Sequence, residues 1–188
     1  MYIVADFTKM LTLDDYRNTI ESKLRNLDVS MLIINAGMGG PGPFNKNDED
    51  LVSNILTCNM MQCTYLPKLM VNQLNSRFEK TCQKAAMIFV SSISAIRPMP
   101  GVALYSSSKI YTSYLAEALA YELKDTVDVI SYRPGEVDTN MNPNNSGRQG
   151  FISAERAVTV CFRDLGVDHM TYGDESHEIK MLSMTKDP

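Results

Sequence analysis

The sequence has no excess of basic residues and no cysteine pattern typical of a metal site. Its 18 lysines and arginines stand against 22 aspartates and glutamates, giving a net charge of −4. Non-specific binding to nucleic acid requires a basic surface, so no nucleic-acid partner is expected. The cysteines form no C-x-x-C pair and neither histidine lies near them, which argues against a zinc site and fits a reducing compartment. The four cysteines are Cys58, Cys63, Cys82 and Cys161.

The chain also lacks long apolar runs. The longest are Met31–Ile34 and Ala85–Val90, far shorter than the ~20 residues that cross a bilayer. No transmembrane segment is therefore expected in this chain, and the N-terminus shows no charged region followed by a secretory core. With 188 residues, 44% of them hydrophobic and 21% charged, the composition predicts a single globular domain over residues 1–188.

Short apolar runs alternate with longer helical patterns along the chain. Strands are predicted at residues 2–6, 31–34, 85–90 and 127–132, and helices at residues 12–27, 48–78, 103–124 and 153–165. Residues 142–150 are predicted as a polar loop, and the tail after Gly166 as containing at most one short strand. This alternation favours an α/β fold with a parallel sheet covered by helices on both faces.

Tyr105 and Lys109 stand four residues apart near the start of a predicted helix. An unperturbed tyrosine pKa near ~10 is too high for proton exchange at neutral pH. A lysine one helical turn away favours the phenolate by its positive charge, so this tyrosine can give or take a proton. Because the spacing is common in helices, the pair alone also fits a surface lysine beside a packed tyrosine.

Three predicted strand ends bring further polar or glycine-rich groups toward one edge of the sheet. Ser92 follows the strand at 85–90, 13 residues before Tyr105, and Asn59 lies 24 residues after Asn35. Ligands of open α/β sheets bind beyond the carboxyl ends of the strands. The strand-end residues, besides Ser92, are Asn35, Ala36, Gly37, Pro134, Gly135 and Thr139.

Structural readings of several of these residues remain open. Ser91 and Ser94 fit solvated loop positions, and Ser92 is preferred over them on spacing alone. Asn59 also fits a buried asparagine with satisfied hydrogen bonds. His169 and His177 join no cluster of titratable residues, so both are expected at the surface.

Together these residues resemble the short-chain dehydrogenase/reductase family over essentially the whole chain. The matching motifs are the N-A-G at 35–37, the asparagine in the next helix, the Ser–Tyr–Lys set, and the P-G at 134–135 with its following threonine. The V-A-D-F at 4–7, L-D at 27–28, N-A-G-M-G at 35–39 and S-S at 91–92 are similar to one branch of that family. This branch contains the 17β-hydroxysteroid dehydrogenases and very-long-chain 3-oxoacyl-CoA reductases. The implied fold is a Rossmann-like, doubly wound parallel sheet.

The resemblance implies roles for the site residues. Tyr105 protonates a ketone, Lys109 lowers the pKa of Tyr105 and holds the nicotinamide ribose, and Ser92 polarises the carbonyl. Asn59 holds a water that relays protons to Lys109. The implied cofactor is NADP or NAD, with NADP favoured, and the implied substrate is a lipid-like ketone, a 3-oxoacyl-CoA or a steroid. The branch further implies the endoplasmic reticulum as the compartment, with the mitochondrion and the cytoplasm as alternatives. The remaining cofactor contacts fall to Asp6 at the adenine, to Asn35, Ala36 and Gly37 along the cofactor, and to Pro134, Gly135 and Thr139 by the nicotinamide.

The family's opening strand, its T-G-x-x-x-G-x-G turn and its second strand have no counterpart in this sequence. The strand at 2–6 then corresponds to the family's third, and the expected fold lacks its first two strands and the glycine-rich turn. In the family's sheet order 3-2-1-4-5-6, residues 2–6 have no neighbour and the edge at Met31–Ile34 is bare. An unpaired apolar edge invites another chain, so a partner that covers it is expected.

Two functions are compatible with the sequence. The complete Tyr–Lys–Ser–Asn set favours an NAD(P)-dependent oxidoreductase that reduces a keto group. The missing glycine-rich turn favours a catalytically inactive structural subunit of a larger assembly. Residues 51–70 are apolar on more than one face, and the family pairs this helix and the one after Tyr105 across a two-fold axis. A homodimer is therefore predicted, unless the sheet covers the extra face.

Overall fold

The structure is a computed structural model that describes residues 1–141 and 150–186. The predicted polar loop at 142–150 lies outside these residues, except for Gly150. The described strands are β1 (Met31–Ile34), β2 (Ala85–Val90), β3 (Val127–Tyr132), β4 (Val137–Asp138), β5 (Ile152–Ser153) and β6 (Met170–Thr171). The described helices are α1 (residues 13–24), α2 (residues 49–81), α3 (Ala103–Glu122), α4 (Ala154–Asp164) and α5 (Glu175–Lys186). Short 3-10 turns lie at Phe7–Lys9, Phe44–Lys46 and Ile93–Ala95.

One parallel sheet carries the fold, in the strand order β1-β2-β3-β6. Met31 of β1 pairs with Ala86 of β2, and Ala85 of β2 pairs with Val127 of β3. β4 and β5 form a separate parallel pair. The predicted α/β fold with a parallel sheet is confirmed, and the carboxyl ends of the strands consequently meet at one edge.

The central strand β2 is apolar along its length because helices cover both faces of the sheet. Met87 and Phe89 pack in one buried cluster with residues of α2 and α3. Ile88 packs on the opposite face with Ala157 and Cys161 of α4. Full burial of one such side chain contributes about 1.5–3 kcal/mol, so this strand anchors the edge from which Ser92 follows.

Side-chain caps fix the starts of three helices. The capping box of Thr12 and Asp15 opens α1, Asp48 accepts a hydrogen bond from the Leu51 N–H at the start of α2, and Ser153 caps α4. These caps satisfy backbone N–H groups that have no partner within the helix. Helix starts predicted at residues 12, 48 and 153 are therefore confirmed to within one residue.

The long helix α2 contains a segment of wider π-type turns at Leu56–Met61. The carbonyl of Met60 stays bonded there, accepting from Thr64 Oγ1 at 2.9 Å and from Cys63 Sγ at 3.1 Å. Pro67 follows in the next α-helical part, and the helix continues through it to Thr81. Single π turns within α-helices are frequent at functional sites, and this one carries Asn59.

The prediction of a strand at residues 2–6 is wrong. Tyr2 and Val4 are 89% and 85% exposed, and these residues adopt no regular secondary structure. Their alternating pattern suits a strand, but no described strand lies beside them to accept the backbone hydrogen bonds. Asp6 instead caps the turn Phe7–Lys9 by accepting from the Thr8 N–H at 3.0 Å.

The edge strand β1 pairs with β2 on one side, and the structure as described places no strand on its other side. Ile33 is 49% exposed there, whereas Ile34 is buried. The predicted bare edge at Met31–Ile34 is thus present in the described part of the fold.

The N-terminal residues cover one face of α2. Met10 and Tyr16 pack with Leu66, and the partly buried neighbours of this cluster include Tyr65 and Leu69. The sequence leaves two possibilities for the extra apolar face of residues 51–70: a dimer partner buries it, or the sheet does. In the structure the sheet and this N-terminal segment together bury most of that face, and Leu56 remains 41% exposed.

The C-terminal tail contains more structure than the sequence predicted. The short strand β6 is present, but helix α5 was missed. His177 of α5, expected at the surface, is 1% exposed. Its ring packs against Gly135, where an added Cβ would lie 2.6 Å from His177 Cδ2. His169 is exposed, as predicted.

Over the described ranges, none of the helices combines the length and apolar character needed to cross a membrane.

Candidate active site

The ends of β1, β2 and β3 form the rim of the candidate site. Residues 35–37 follow β1, Ser91 and Ser92 follow β2, and residues 133–135 follow β3. The rim is tied together through its backbone: the Ser91 N–H donates to the Tyr132 carbonyl at 2.7 Å, and the Ile93 N–H donates to the Pro134 carbonyl at 2.8 Å. The predicted convergence of three strand ends is observed.

Lys109 is drawn into the protein under this rim. It is 5% exposed, and its Nζ donates to the Val90 carbonyl at 2.9 Å. The same Nζ lies 5.6 Å from the centroid of the Tyr105 ring. Burial lowers the pKa of Lys109 to about 8, because the charged ammonium loses its hydration. At neutral pH most of the molecules still carry this charge, so a cation lies directly beside the tyrosine ring.

Tyr105 lies in the first turn of α3 and is half-buried. Burial raises the pKa of its phenol, and a hydrogen bond with the Ser92 side chain opposes that rise. The phenol is therefore protonated at neutral pH and has the Ser92 side chain beside it. A group in that state can donate a proton to a substrate oxygen.

The structure separates the roles of three neighbouring serines. Ser92 is half-buried and also accepts from the Ser94 N–H at 3.1 Å. The Ser91 hydroxyl is buried and donates to the Lys109 carbonyl at 2.7 Å. Ser94 is buried with its hydroxyl unpaired. Neither Ser91 nor Ser94 is a solvated loop residue, and of the three serines Ser92 is the one whose side chain lies beside Tyr105.

Asn59 links the loop after β1 to α3. Its Oδ1 accepts from the Met38 N–H at 2.9 Å, and its Nδ2 donates to the Met38 carbonyl and to Ser108 Oγ, both at 2.9 Å. It is 2% exposed, so Asn59 is a buried asparagine whose hydrogen bonds are satisfied. Its closeness to Lys109 follows from Gly37, where an added Cβ would lie 3.3 Å from Lys109 Nζ and 3.5 Å from Asn59 Oδ1.

The other predicted cofactor contacts occupy less central positions. Asn35 is exposed, and the Ala36 carbonyl accepts from Gln62 Nε2 at 2.7 Å. Pro134 is buried in the rim and Gly135 contacts His177, whereas Thr139 is exposed beyond β4. Asp6 uses its carboxylate locally, bonding Thr8 and pairing with Lys9. The hydrogen bonds to Thr8 lower the pKa of Asp6.

Sequence reasoning missed a chain of buried polar groups behind the site. Ser113 and Glu117 continue the four-residue spacing of Tyr105 and Lys109 along α3, and both bond Arg133. The signal was present as Y-x-x-x-K-x-x-x-S-x-x-x-E, since residues four apart share a helix face. His177 had no comparable signal, because its burial depends on a distant glycine.

An open groove lies next to the serine loop. It has a volume of about 720 Å³ and is formed by the segment that follows the turn at Ile93–Ala95 together with two residues of α5. Its lining is mostly apolar, with one arginine. The lining residues are Ile96, Arg97, Pro98, Met99, Pro100, Met184 and Thr185.

The chain belongs to the short chain dehydrogenase family. The sequence model of that family matches residues 1–150, and the matched range holds the serine, tyrosine, lysine and asparagine described above. The chain also lies close to the steroid dehydrogenase group within it, as the following relatives indicate.

Human 17-beta-hydroxysteroid dehydrogenase type 3 is 29% identical over 94% of this chain and 55% of its own length. Human inactive hydroxysteroid dehydrogenase-like protein 1 is also 29% identical, over 96% of this chain and 54% of its own length. The very-long-chain 3-oxoacyl-CoA reductase of Neurospora crassa is 33% identical over 61% of this chain and 34% of its own length. The chain thus spans about half the length, or less, of these curated relatives.

Solved structures support the fold independently. A short chain dehydrogenase from Burkholderia cenocepacia, in complex with NADP, superimposes with a TM-score of 0.78 over all of this chain and 76% of its own. Because its sequence identity is 22%, this likeness shows the Rossmann-like fold alone.

Proposed function

We propose that this protein is an NAD(P)-dependent ketoreductase acting on a lipid-like substrate. The observation that carries the proposal is the arrangement of Tyr105, Ser92 and Lys109: a protonated phenol beside a serine side chain, with a buried ammonium 5.6 Å from the centroid of the phenol ring. This arrangement supplies a proton donor and a second hydrogen-bond donor for one substrate oxygen.

The residues at the rim fit the nicotinamide end of a dinucleotide. Gly37 lies close to Lys109 and Asn59, so that an added Cβ would crowd Lys109 Nζ at 3.3 Å, and its bare backbone suits close approach to a ligand. Lys109 would hold the nicotinamide ribose, residues 35–37 would line the cofactor, and Gly135 would lie by the ring. The described residues offer no glycine-rich turn opening a helix for the pyrophosphate, so the fit covers one end of the cofactor. NADP rather than NAD is favoured by the family branch.

When bound, a nicotinamide cofactor supplies the hydride for reduction of the ketone carbon. The chain's own residues act on the oxygen. The Ser92 hydroxyl bonds the carbonyl and holds it beside Tyr105, whose phenol donates its proton as negative charge develops there. The ammonium of Lys109 stabilises the resulting phenolate, and Asn59 lies within the same buried network. Solvent then returns a proton to Tyr105.

The groove beside the serine loop supports an elongated apolar substrate. Its volume of about 720 Å³ is within the range of small-molecule sites, which are mostly apolar with few polar groups. Methionines such as Met99 and Met184 adapt to flexible apolar ligands. A ketone held at Ser92 would extend an acyl chain or a steroid body along this groove.

The test is oxidation of NADPH and of NADH with a long-chain 3-oxoacyl-CoA and a 17-ketosteroid. Tyr105→Phe removes the proton donor and should lower kcat about 10²–10⁴-fold without loss of folded protein. Tyr114→Phe is the matched control, because Tyr114 lies on the same helix and is 67% exposed, and it should keep full activity. Equal rates for the two variants would refute the proposal.

A second candidate is a non-catalytic subunit of a larger assembly. Two observations favour it: a relative whose name marks it inactive, and the unpaired edge of β1. Thermal unfolding with NADP and NAD separates the candidates, because a ligand at 100 times its Kd adds about 2.7 kcal/mol of stability. No stabilisation by either dinucleotide, in a chain that is purified only with a partner, would favour the subunit.

The proposed ketoreductase is a homodimer in which α2 and α3 face their copies. Exposed apolar side chains on these helices support this, namely Leu56 on α2 and Tyr114 and Tyr121 on α3. Leu66 is 7% exposed and is a core residue, so a charge there would unfold the domain. The double variant Leu56→Arg/Tyr114→Arg should halve the solution mass. A monomeric mass for the unaltered chain would exclude this interface.

A further inference from the structure

Lys109 is fastened to the end of β2 at two points. Its Nζ donates to the Val90 carbonyl at 2.9 Å, and its own carbonyl accepts from Ser91 Oγ at 2.7 Å. Ser92 is the next residue along the chain. The two contacts therefore set the position of the lysine relative to the serine that bonds Tyr105.

The second contact is the end of a directional chain of hydrogen bonds. Arg133 Nε donates to Ser113 Oγ at 3.0 Å, Ser113 Oγ donates to Ser91 Oγ at 2.7 Å, and Ser91 donates to Lys109. Each hydroxyl donates once and accepts once in this order. Every bond in the chain therefore strengthens the next, as expected for hydrogen bonds in series away from water.

The chain begins on a paired charge. The Arg133 guanidinium bonds the Glu117 carboxylate, and Arg133 is 9% exposed. Ser113 and Ser91 are 0% and 3% exposed, so water does not replace either hydroxyl. An unsatisfied buried hydroxyl is costly, and the orientation of the whole chain is consequently fixed by the arginine.

We propose that Arg133, acting through Ser113 and Ser91, is a positioning residue that holds Lys109 at the depth where it serves Tyr105 and Ser92. The proposal rests on the ketoreductase function, but it concerns the placement of Lys109 and can be measured without turnover. Arg133 and Ser113 are buried, and their side chains bond other side chains behind the site.

The variant that tests it is Ser113→Ala, which removes the central link and keeps a good helix former. Ser106→Ala is the matched control, since Ser106 is a buried serine of the same helix whose hydroxyl bonds only the Ala103 carbonyl among the described contacts. The first readout is the NMR titration of the Lys109 side chain in selectively labelled protein, with Lys109→Arg used to assign its signal.

In Ser113→Ala the Ser91 hydroxyl loses the hydrogen bond that orients it toward the Lys109 carbonyl, the lysine gains access to water, and its titration midpoint moves up by about half a pH unit or more. Ser106→Ala leaves the midpoint unchanged. In the ketone assay, Ser113→Ala lowers kcat about tenfold with a change in KM of less than about twofold, as expected when a catalytic group is displaced by part of an ångström. It also shifts the pH profile in the same direction as the NMR midpoint.

Ser91→Ala and the double variant Ser91→Ala/Ser113→Ala test whether the residues act in one chain. The double variant should show the same midpoint shift as either single variant, because a broken series cannot be broken twice. Arg133→Met should also shift the Lys109 titration midpoint. Arg133→Lys, which keeps the charge but loses the forked donor geometry, should still show more than half of that shift.

The outcomes separate this inference from the proposed function. A Lys109 midpoint identical in the unaltered protein and in folded Ser113→Ala overturns the positioning role, even if the protein reduces ketones. A shifted midpoint in a protein with no reductase activity upholds the positioning role and refutes the ketoreductase. A fall in thermal stability alone, with midpoint and kcat unchanged, reduces the chain to a packing feature.

Discussion

The rim of the candidate site and the outer edge of the sheet lie a few residues apart and differ in almost every physical respect. At the rim, Lys109, Asn59 and Ser91 are buried and every one of them is hydrogen-bonded across elements. At the edge, Ile33 is half exposed and Tyr2 and Val4 lie in solvent. These polar groups at the rim have hydrogen-bond partners, whereas the outer edge of β1 pairs with no further strand among the described residues.

The difference separates a region of fixed geometry from an exposed apolar surface. Buried polar groups are costly unless each finds its partner, so the hydrogen bonds of Lys109, Asn59 and Ser91 are evidence of a specified arrangement. Exposed apolar side chains on an unpaired edge are instead typical of a surface that another polypeptide covers. The first region favours chemistry, and the second favours a partner.

Two asparagines give the sharpest test of this contrast. Asn59→Leu leaves the Met38 backbone N–H and carbonyl and the Ser108 hydroxyl without their partner, and should lower the free energy of unfolding by about 3–4 kcal/mol. Asn35→Leu, at an exposed position beside the edge, should change it by less than about 0.5 kcal/mol. Urea unfolding of the two variants measures the difference. Similar losses for both would show that the rim is no more specified than the edge.

The pH dependence of stability tests the buried charge. Burial lowers the pKa of Lys109 from 10.5 to about 8, so between these values the unfolded chain binds the proton that the folded chain has released. The buried charge therefore lowers the free energy of unfolding by its full amount below pH 8, and this loss disappears as the pH rises toward 10.5. Lys109→Met has no such charge.

Lys109→Met should have a higher free energy of unfolding than the unaltered protein, and this difference should shrink by about 2–3 kcal/mol between pH 8 and 10.5. Lys68→Met, which removes an exposed lysine, is the matched control. Denaturant titrations at a series of pH values provide the measurement. A flat difference for Lys109→Met would mean that the ammonium is hydrated in solution.

The contact between Gly135 and His177 joins the rim to the C-terminal helix. Gly135→Ala places a methyl group 2.6 Å from His177 Cδ2, which forces the helix or the loop to move and should cost about 1–2 kcal/mol. Adding His177→Ala should restore most of that loss by opening the space. Calorimetry of both single variants and the double variant gives the coupling energy between the two sites. If the losses of stability simply add, His177 does not contact Gly135.

The smallest effect on stability is expected at the edge. Ile33→Lys should change the free energy of unfolding by less than about 0.5 kcal/mol, because the side chain is half exposed. A lysine on an edge strand discourages pairing with another chain, so self-association at high concentration should fall. Ile179→Lys, at a 60% exposed site on α5, makes the same charge change away from the edge. Equal association of both variants would show that β1 is not the contact.

The parts that sequence predicted well are those governed by local pattern. β1 and β2 are continuous apolar runs and β3 is largely apolar, and their bounds follow from these stretches alone. Tyr105, Lys109 and Ser92 were found by helical spacing and by their place after a strand, and the structure brings them together. The helix starts were marked by Thr12, Asp48 and Ser153, whose side chains cap them.

The parts that failed depend on tertiary neighbours. Residues 2–6 alternate like a strand, but a strand needs a partner and the described structure provides none. Helix α5 has little apolar periodicity, and its position is set by Gly135, by the Lys180–Glu136 ion pair and by Asp174. Hydrogen bonds to Ser176 and Arg156 lower the pKa of Asp174 to about 2. No pattern along one segment encodes such contacts.

The central claim is that Tyr105, Ser92 and Lys109 form a working site for a nicotinamide cofactor and a ketone. The most direct test follows deuterium from a nicotinamide cofactor deuterated at the transferred position into the alcohol product, by mass spectrometry, with a long-chain 3-oxoacyl-CoA and a 17-ketosteroid as substrates. We expect one deuterium at the carbinol carbon with the unaltered protein and with Tyr114→Phe, and a yield lower by about 10²–10⁴-fold with Tyr105→Phe. No label in any product, or equal label with Tyr105→Phe, would contradict it.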